Sequence, residues 1–124
     1  MSARKEYLRI EDVEDVTVVR LLEAKILDEQ HVEVLGFKLI SLVVDSDCAV
    51  TRLVLDFSPV QLMSAAFLGK LATLNYKIRE KGGLLVLCYL HQDVAEVFEI
   101  TKLNRCIPIF LQRWPGSRDP PLPV

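Results

Sequence analysis

Residues 56–90 read DFSPVQLMSAAFLGKLATLNYKIREKGGLLVLCYL, and this stretch decides the fold. Ser58-Pro59 interrupts an aliphatic run, because proline cannot donate a hydrogen bond to a neighbouring strand. Ser64–Lys81 predicts a helix, since its apolar residues recur at steps of three and four. Gly82-Gly83 is typical of a left-handed helix stop, and Leu84–Tyr89 predicts a central strand covered on both faces. The predicted buried stripe of the helix is Phe67, Leu71, Leu74 and Ile78.

A second strand and helix precede this stretch. Arg52–Phe57 predicts the strand, and Asp28 predicts the helix start because its carboxylate can accept hydrogen bonds from first-turn amides. Gly36 weakens the helix by roughly 1 kcal/mol relative to alanine, which indicates close packing there. Asp45-Ser46-Asp47 is predicted to end the helix. The apolar face of this helix comprises Val32, Leu35, Leu39 and Leu42.

The two ends of the chain supply the remaining elements. Tyr7–Ile10 and Val16–Leu22 predict two strands, separated by an acidic turn at Glu11–Asp15; they could form a hairpin, but their pairing stays open. Asp93 predicts the cap of a short helix, with Val94, Val97, Phe98 and Thr101 on one side. Ile107–Phe110 predicts an edge strand, because it contains a proline.

The predicted order is therefore β-β-α-β-α-β-α-β in one domain over residues 1–113. Strands that alternate with helices of this length favour right-handed crossovers and a largely parallel sheet. Residues 114–124 are predicted to be a flexible tail, because PGSRDPPLPV is rich in proline.

Composition excludes several classes of function. The 124 residues carry a formal net charge of −2 with both signs interspersed, so direct nucleic-acid binding is not expected. The start, MSARKEYLRI, has no apolar segment behind its basic residues and predicts no signal peptide. Apolar runs such as Leu39–Val44 are too short to span a bilayer. A cytoplasmic protein without direct membrane contact is expected.

The sequence contains no recognisable catalytic motif and no metal-binding spacing of cysteines or histidines. Cys48, Cys88 and Cys106 fit no metal-binding spacing and predict reduced thiols, with Cys88 in the core. His31 and His91 lack partners at ligand spacing, so no metal site is expected. The sequence contains no nucleophile elbow, P-loop or dinucleotide fingerprint. We therefore predict a binding protein with no cofactor and no catalytic residues, not an enzyme.

Four local patterns resemble the STAS domain, the family of anti-sigma-factor antagonists. DFSPVQLMSAAFLGKL is similar to the family pattern D-L-S-G-V-x-F-x-D-S-S-G-L-G-x-L, and Ile26-Leu27-Asp28 is similar to the Leu-Asp pair before the first family helix. Gly82-Gly83 and the following LLVLCYLHQDVAEVFEITKL resemble the family's G-G-x-L-x-L strand and its E-V-x-x-V-L-E-L-T-x-L helix. The resemblance covers roughly residues 6–110. It implies an α/β fold with a four- or five-stranded, mostly parallel mixed sheet and helices largely on one face.

The resemblance also implies a regulatory mechanism. In the family, a partner kinase phosphorylates a serine at the start of the central helix, and the unphosphorylated module binds an anti-sigma factor. Phosphate brings about −1.5 to −2 charges, which a tight interface repels. Here the phosphoacceptor position is Ala65, which has no hydroxyl. Ser64 is a less favoured alternative, since its ordinary role at this position is an N-cap. Pro59 and Phe67 replace glycines of the pattern.

The residues implied in partner binding are Asp56, Ser58, Ser64, Phe67 and Leu68. Ser58 is expected to be a turn residue, and Asp28 with Asp56 could form an acidic rim at the strand ends. Phe67 and Leu68 are not expected to be buried together, so one should be exposed as an apolar contact.

Three functions stay open. The first is an antagonist-like regulator that docks on an anti-sigma factor or serine-protein kinase in a partner-switching pathway, without the usual phosphorylation switch. The second is a scaffold without switching, such as a homodimer or a subunit of a signalling complex. The third, from the fold alone, is a domain that binds a nucleotide or another small ligand.

Overall fold

The structure, a computed structural model, describes residues 8–13, 16–44 and 52–111 of the chain. These residues form three α-helices: α1 (Glu29–Val44), α2 (Ala65–Glu80) and α3 (Gln92–Ile100). A short 3-10 helix follows at Leu103–Arg105. The strands are β1 (Leu8–Val13), β2 (Val16–Leu21), β3 (Lys25–Ile26), β4 (Arg52–Asp56), β5 (Leu62–Met63) and β6 (Leu84–Cys88).

The main sheet has the order β1-β2-β4-β6. The first pair is antiparallel, so the hairpin that the sequence left open is formed. The pairs β2-β4 and β4-β6 are parallel. Ile109 adds a single parallel bridge to Leu87. This is the mixed, mostly parallel sheet that the sequence predicted.

The helices pack on one face of this sheet. Leu53 and Leu55 of β4 lie in the same core cluster as Val32, Leu71 and Phe98, which come from the three helices. The opposite face carries a smaller cluster of Val54, Val86 and Cys88, to which Val16, Val18, Tyr89 and Phe110 contribute but no helix does. The odd and even residues of each parallel strand are thus buried in different clusters, because successive side chains point to opposite faces.

Helix α1 begins and packs as its sequence predicts. The Asp28 carboxylate accepts a hydrogen bond from the backbone N–H of Gln30 at 2.8 Å, which caps the first turn. Val32, Leu35 and Leu39 are buried, and Leu42 packs against the same core. The predicted end at Asp45-Ser46-Asp47 lies outside the described residues, as do Cys48 and the predicted tail at residues 114–124.

Helix α2 ends as predicted. Gly82 has a φ of +75°, the left-handed conformation that glycine adopts without a steric penalty. Its N–H donates to the Arg79 carbonyl at 2.9 Å, and the Gly83 N–H donates to the Ile78 carbonyl at 2.8 Å. This pair of hydrogen bonds satisfies carbonyls that the helix end would otherwise leave without donors.

Three predictions about local structure are wrong. Residues 11–13 of the expected acidic turn belong to β1, because cross-strand pairing with β2 outweighs their low strand propensity. Strand β6 is covered on both faces, as predicted; the predicted edge strand at Ile107–Phe110, by contrast, is reduced to an isolated bridge from Ile109 to Leu87. Helix α3 has His91 at its N-cap, so Asp93 lies in the first turn and does not cap it.

Within the described residues, no helix is both long enough and apolar enough to cross a bilayer. Cys88 is buried in the smaller cluster, as predicted, and Cys106 is exposed.

Candidate functional site

The two shortest strands bring the start of α2 to the edge of the domain. Strands β3 and β5 pair in parallel, with Lys25 beside Leu62 and Ile26 beside Met63. One residue beyond, the Ser64 N–H donates to the Ile26 carbonyl at 2.9 Å. The chain therefore enters α2 directly alongside the segment that leads into α1.

This small sheet has one buried and one exposed side. Ile26 is fully buried, whereas Leu62 is 48% exposed and Leu27, just after β3, is 51% exposed. Lys25, the partner of Leu62, is also exposed. Lys25 and Leu62 are strand partners and share a side of the small sheet, and Leu27 follows β3 directly. Two leucines are thus presented to solvent next to the start of α2.

Asp56 organises the loop that leads from β4 towards this edge. Its side chain is nearly buried; one carboxylate oxygen accepts from Arg20 Nε at 3.0 Å and the other from the Ser58 N–H at 2.8 Å. The second bond makes a turn of the kind that aspartate side chains form with the backbone two residues on. The turn at Ser58-Pro59 is therefore held by the Asp56 carboxylate.

The loop is also joined to α3. His91 Nε2 lies 3.0 Å from the Ser58 carbonyl oxygen, and since a carbonyl only accepts, this ring nitrogen carries the donating hydrogen. The Phe57 N–H donates to the Cys88 carbonyl at the end of β6. Ser58 is itself exposed. Contacts from two sides thus hold an exposed loop in one position.

Ser64 occupies the N-cap position of α2 but does not make the expected capping bond. Its side chain makes no hydrogen bond to the first turn. The Oγ atom is buried and has no hydrogen-bond partner. The cap prediction is therefore right about the position and wrong about the hydrogen bond. The hydroxyl is enclosed, unlike that of a surface phosphoacceptor.

The first turn of α2 presents small side chains outward. Ala65 and Ala66 are exposed, whereas Phe67 is fully buried and Leu68 is only 5% exposed. The expectation that Phe67 or Leu68 is exposed is wrong, because both side chains belong to the main core cluster. An acidic substitution at Leu68 would bury an unpaired carboxylate, so it cannot serve as a folded probe of binding.

The expected acidic rim is also not formed as predicted. Asp28 is exposed and acts as the α1 cap. Asp56 is 4% exposed and its charge is balanced by Arg20. The two carboxylates therefore have separate structural roles.

We call the exposed surface formed by Leu27, Ser58, Leu62, Ala65 and Ala66 the α2 edge. These five side chains are uncharged, and the exposed Lys25 borders them as the strand partner of Leu62. The described residues contain no group of three or more His, Cys, Asp or Glu that could hold a metal ion. An apolar surface of this kind beside a polar rim suits contact with another protein.

The arrangement matches a known family. The profile of the STAS domain matches residues 7–113, and the chain belongs to this family. No curated protein matches the chain.

Solved structures share the fold at low sequence identity. An anti-sigma-factor antagonist (STAS) domain protein from Planctomyces limnophilus has a TM-score of 0.72 and 20% identity, with 86% of this chain and 90% of that chain covered. SpoIIAA, a Bacillus cell fate determinant in its phosphorylated form, has a TM-score of 0.63 and 19% identity, with 82% and 89% covered. The murine anion transporter Slc26a9 has a TM-score of 0.66 and 16% identity, with 83% of this chain and 17% of that chain covered.

The sequence did not predict Leu27 and Leu62 as part of the α2 edge, nor the long-range contacts that hold its loop. The pairing of β3 with β5 involves two residues on each side, which is too short for an alternating pattern to be recognised. The Asp56–Arg20 pair joins residues 36 positions apart, and His91 reaches Ser58 across 33 positions. Of these features, only the exposure of Ala65 and Ala66 could be predicted from the sequence, because neither residue belongs to the predicted buried stripe of α2.

Proposed function

We propose that this STAS domain is an antagonist-like regulator that acts by binding and not by catalysis. Its proposed partner is an anti-sigma factor with serine-kinase activity, which it binds through the α2 edge. The observation that carries the proposal is the outward first turn of α2, where Ala65 and Ala66 lie beside the exposed Leu27 and Leu62. The fold shared with an anti-sigma-factor antagonist domain supports it.

The α2 edge is suited to a close protein contact for a physical reason. Alanine side chains let a partner approach the helix backbone, and burying them costs almost no side-chain entropy. Burial of the two leucines contributes a favourable term of about 25 cal/mol per Å² of apolar area removed from water. Among the residues predicted for binding, Ser58 would contact the partner directly. Asp56, Phe67 and Leu68 would instead hold the loop and the helix start in place through their side chains, and Ser64 through its backbone N–H.

The same geometry argues for a module that is not switched by phosphate. Ala65 at the predicted phosphoacceptor position has no hydroxyl, and the Ser64 hydroxyl next to it is buried. A domain without an acceptor at this turn stays in the form that binds, whatever the activity of the kinase.

Restoring the hydroxyl tests this reading. Ala65→Ser places a serine at an exposed first-turn position, so incubation with the cognate kinase and ATP should phosphorylate this variant and not the wild type. Ala66→Ser is the matched control, because it adds the same group one residue further on. Intact-protein mass spectrometry measures the phosphate. Stoichiometric phosphate on the wild-type chain, or equal labelling of both variants, would contradict the proposal.

A further inference from the structure

Helix α1 has a second apolar stripe, on the side away from the core. Phe37 is 72% exposed, Val44 is 44% exposed and Val34 is 38% exposed. The buried residues of the helix lie on the opposite side, because successive residues are about 100° apart around the axis. Phe37 and Val44 also line a groove of about 340 Å³ beside Lys70 of α2. The groove thus has apolar side chains of α1 on one side and the Glu33–Lys70 ion pair at its border.

The spacing of this outer stripe is that of a coiled-coil seam. Val34, Phe37, Ser41 and Val44 are separated by steps of three, four and three. Val34 and Ser41 occupy the a positions of a heptad, and Phe37 and Val44 occupy the d positions. A seam of this kind is matched by a second helix with the same repeat, which a second copy of the chain provides.

The charges beside the seam favour one orientation of that copy. Glu33 precedes the first a residue and is a g position, while Lys38 follows Phe37 and is an e position. In a parallel pair, each g residue faces the e residue of the next heptad on the partner helix, so Glu33 meets the second copy's Lys38 twice. In an antiparallel pair e faces e, which would bring the two Lys38 side chains together.

Glu33 is well placed to accept this second cation. Its Oε2 already lies 3.1 Å from Lys70 Nζ, and its side chain is 65% exposed. A carboxylate has two oxygens and about four acceptor sites, so it can bind both ammonium groups. The opposite charges of Glu33 and Lys38 and the heptad spacing thus both favour a second copy of this chain as the binding partner of α1.

We propose that the chain forms a parallel, two-fold homodimer through the outer stripe of α1. The two-fold axis then runs along the paired helices, so both α2 edges face the same direction. A partner with two binding sites can engage both edges at once. The dimer does not depend on the proposed function, because the outer stripe of α1 shares no residue with the α2 edge.

Sedimentation velocity of the purified chain, from low micromolar to several hundred micromolar, tests the dimer. One pair of four-turn helices is smaller than the standard interface of about 1,600 Å², so the association is expected in the micromolar range or weaker. Phe37→Asp should remain monomeric throughout. Ile100→Asp is the matched control, because Ile100 is 79% exposed and lies on α3, and it should associate like the wild type. A monomeric wild type, or equal association of Phe37→Asp, would overturn the proposal.

Lys38→Gln tests the orientation. In the parallel dimer it removes two attractive pairs, so the dissociation constant should rise by about threefold to fivefold at low salt. In an antiparallel dimer it would relieve repulsion, and a lower dissociation constant would overturn the parallel arrangement. Both measurements use this chain alone, so their failure is separate from any failure of partner binding.

Discussion

Individual residues at the start of α2 have roles that differ from their usual ones. Serine at an N-cap ordinarily stabilises a helix through its side-chain oxygen. Here Ser64 Oγ is buried without a partner, and an unsatisfied buried polar atom costs free energy. The exposed carboxylate of Asp28, by contrast, does cap α1. A residue type that favours the N-cap position therefore stabilises α1 at Asp28 but leaves an unsatisfied buried hydroxyl at Ser64 of α2.

This difference predicts an unusual result for Ser64→Ala. Replacing an N-cap serine by alanine generally lowers the free energy of unfolding by about 0.5–2 kcal/mol. Here no capping bond is lost and a buried orphan hydroxyl is removed, so we expect no loss of stability, or a small gain. Urea unfolding followed by circular dichroism measures it, with Asp28→Ala as a control that should lose about 1 kcal/mol. A loss at Ser64 equal to that of Asp28→Ala would show that the hydroxyl does cap the helix.

At the scale of elements, α1 and α2 contact each other at Gly36. A Cβ at this position would lie 2.7 Å from Cδ and 2.9 Å from Cγ of Lys70. The Lys70 side chain therefore lies across the glycine before it reaches Glu33. The absence of a side chain at Gly36 permits both the close packing and the ion pair.

A double-mutant cycle tests this contact. Gly36→Ala should raise the free energy of unfolding by up to about 1 kcal/mol when Lys70 is already alanine, because Cδ and Cγ are then absent and only the Lys70 Cβ, 3.3 Å from the added methyl group, remains close. With Lys70 present, the gain should be smaller or reversed, since the lysine must move away. Thermal or urea unfolding of the four proteins gives the coupling free energy. Additive effects of the two substitutions would contradict the close contact.

The elements also show how far sequence reasoning reaches. The helices and the long strands were predictable, because apolar periods of 3.6 and continuous apolar runs extend over many residues. The β3-β5 pair was not, since two residues carry no period. Phe67 and Leu68 were expected to compete for the core, but the core at the start of α2 has room for both. Whether such residues are buried depends on tertiary packing, which a helical wheel of a single helix does not describe.

At the scale of the whole molecule, we propose partner binding at the α2 edge and self-association through the outer stripe of α1. The resemblance predicted partner contacts at the start of α2, where the proposed α2 edge lies. The composition of this edge was not predictable, since Leu27 and Leu62 become part of it only through the pairing of β3 with β5. In the proposed function, the α2 edge is a permanently available surface of small and apolar side chains, bordered by Lys25.

The most direct measurement is affinity capture from a native cell lysate with the wild-type chain, Ala65→Asp and Thr73→Asp as baits, followed by mass spectrometry. An aspartate at Ala65 suits the positive end of the helix dipole, so this variant should fold while it places a charge on the α2 edge. Thr73 is exposed two turns further along α2 and carries the same charge away from the edge. The account predicts that the wild type and Thr73→Asp retain an anti-sigma factor with serine-kinase activity and that Ala65→Asp loses it. Equal retention by all three baits, or no such protein with any bait, would contradict it.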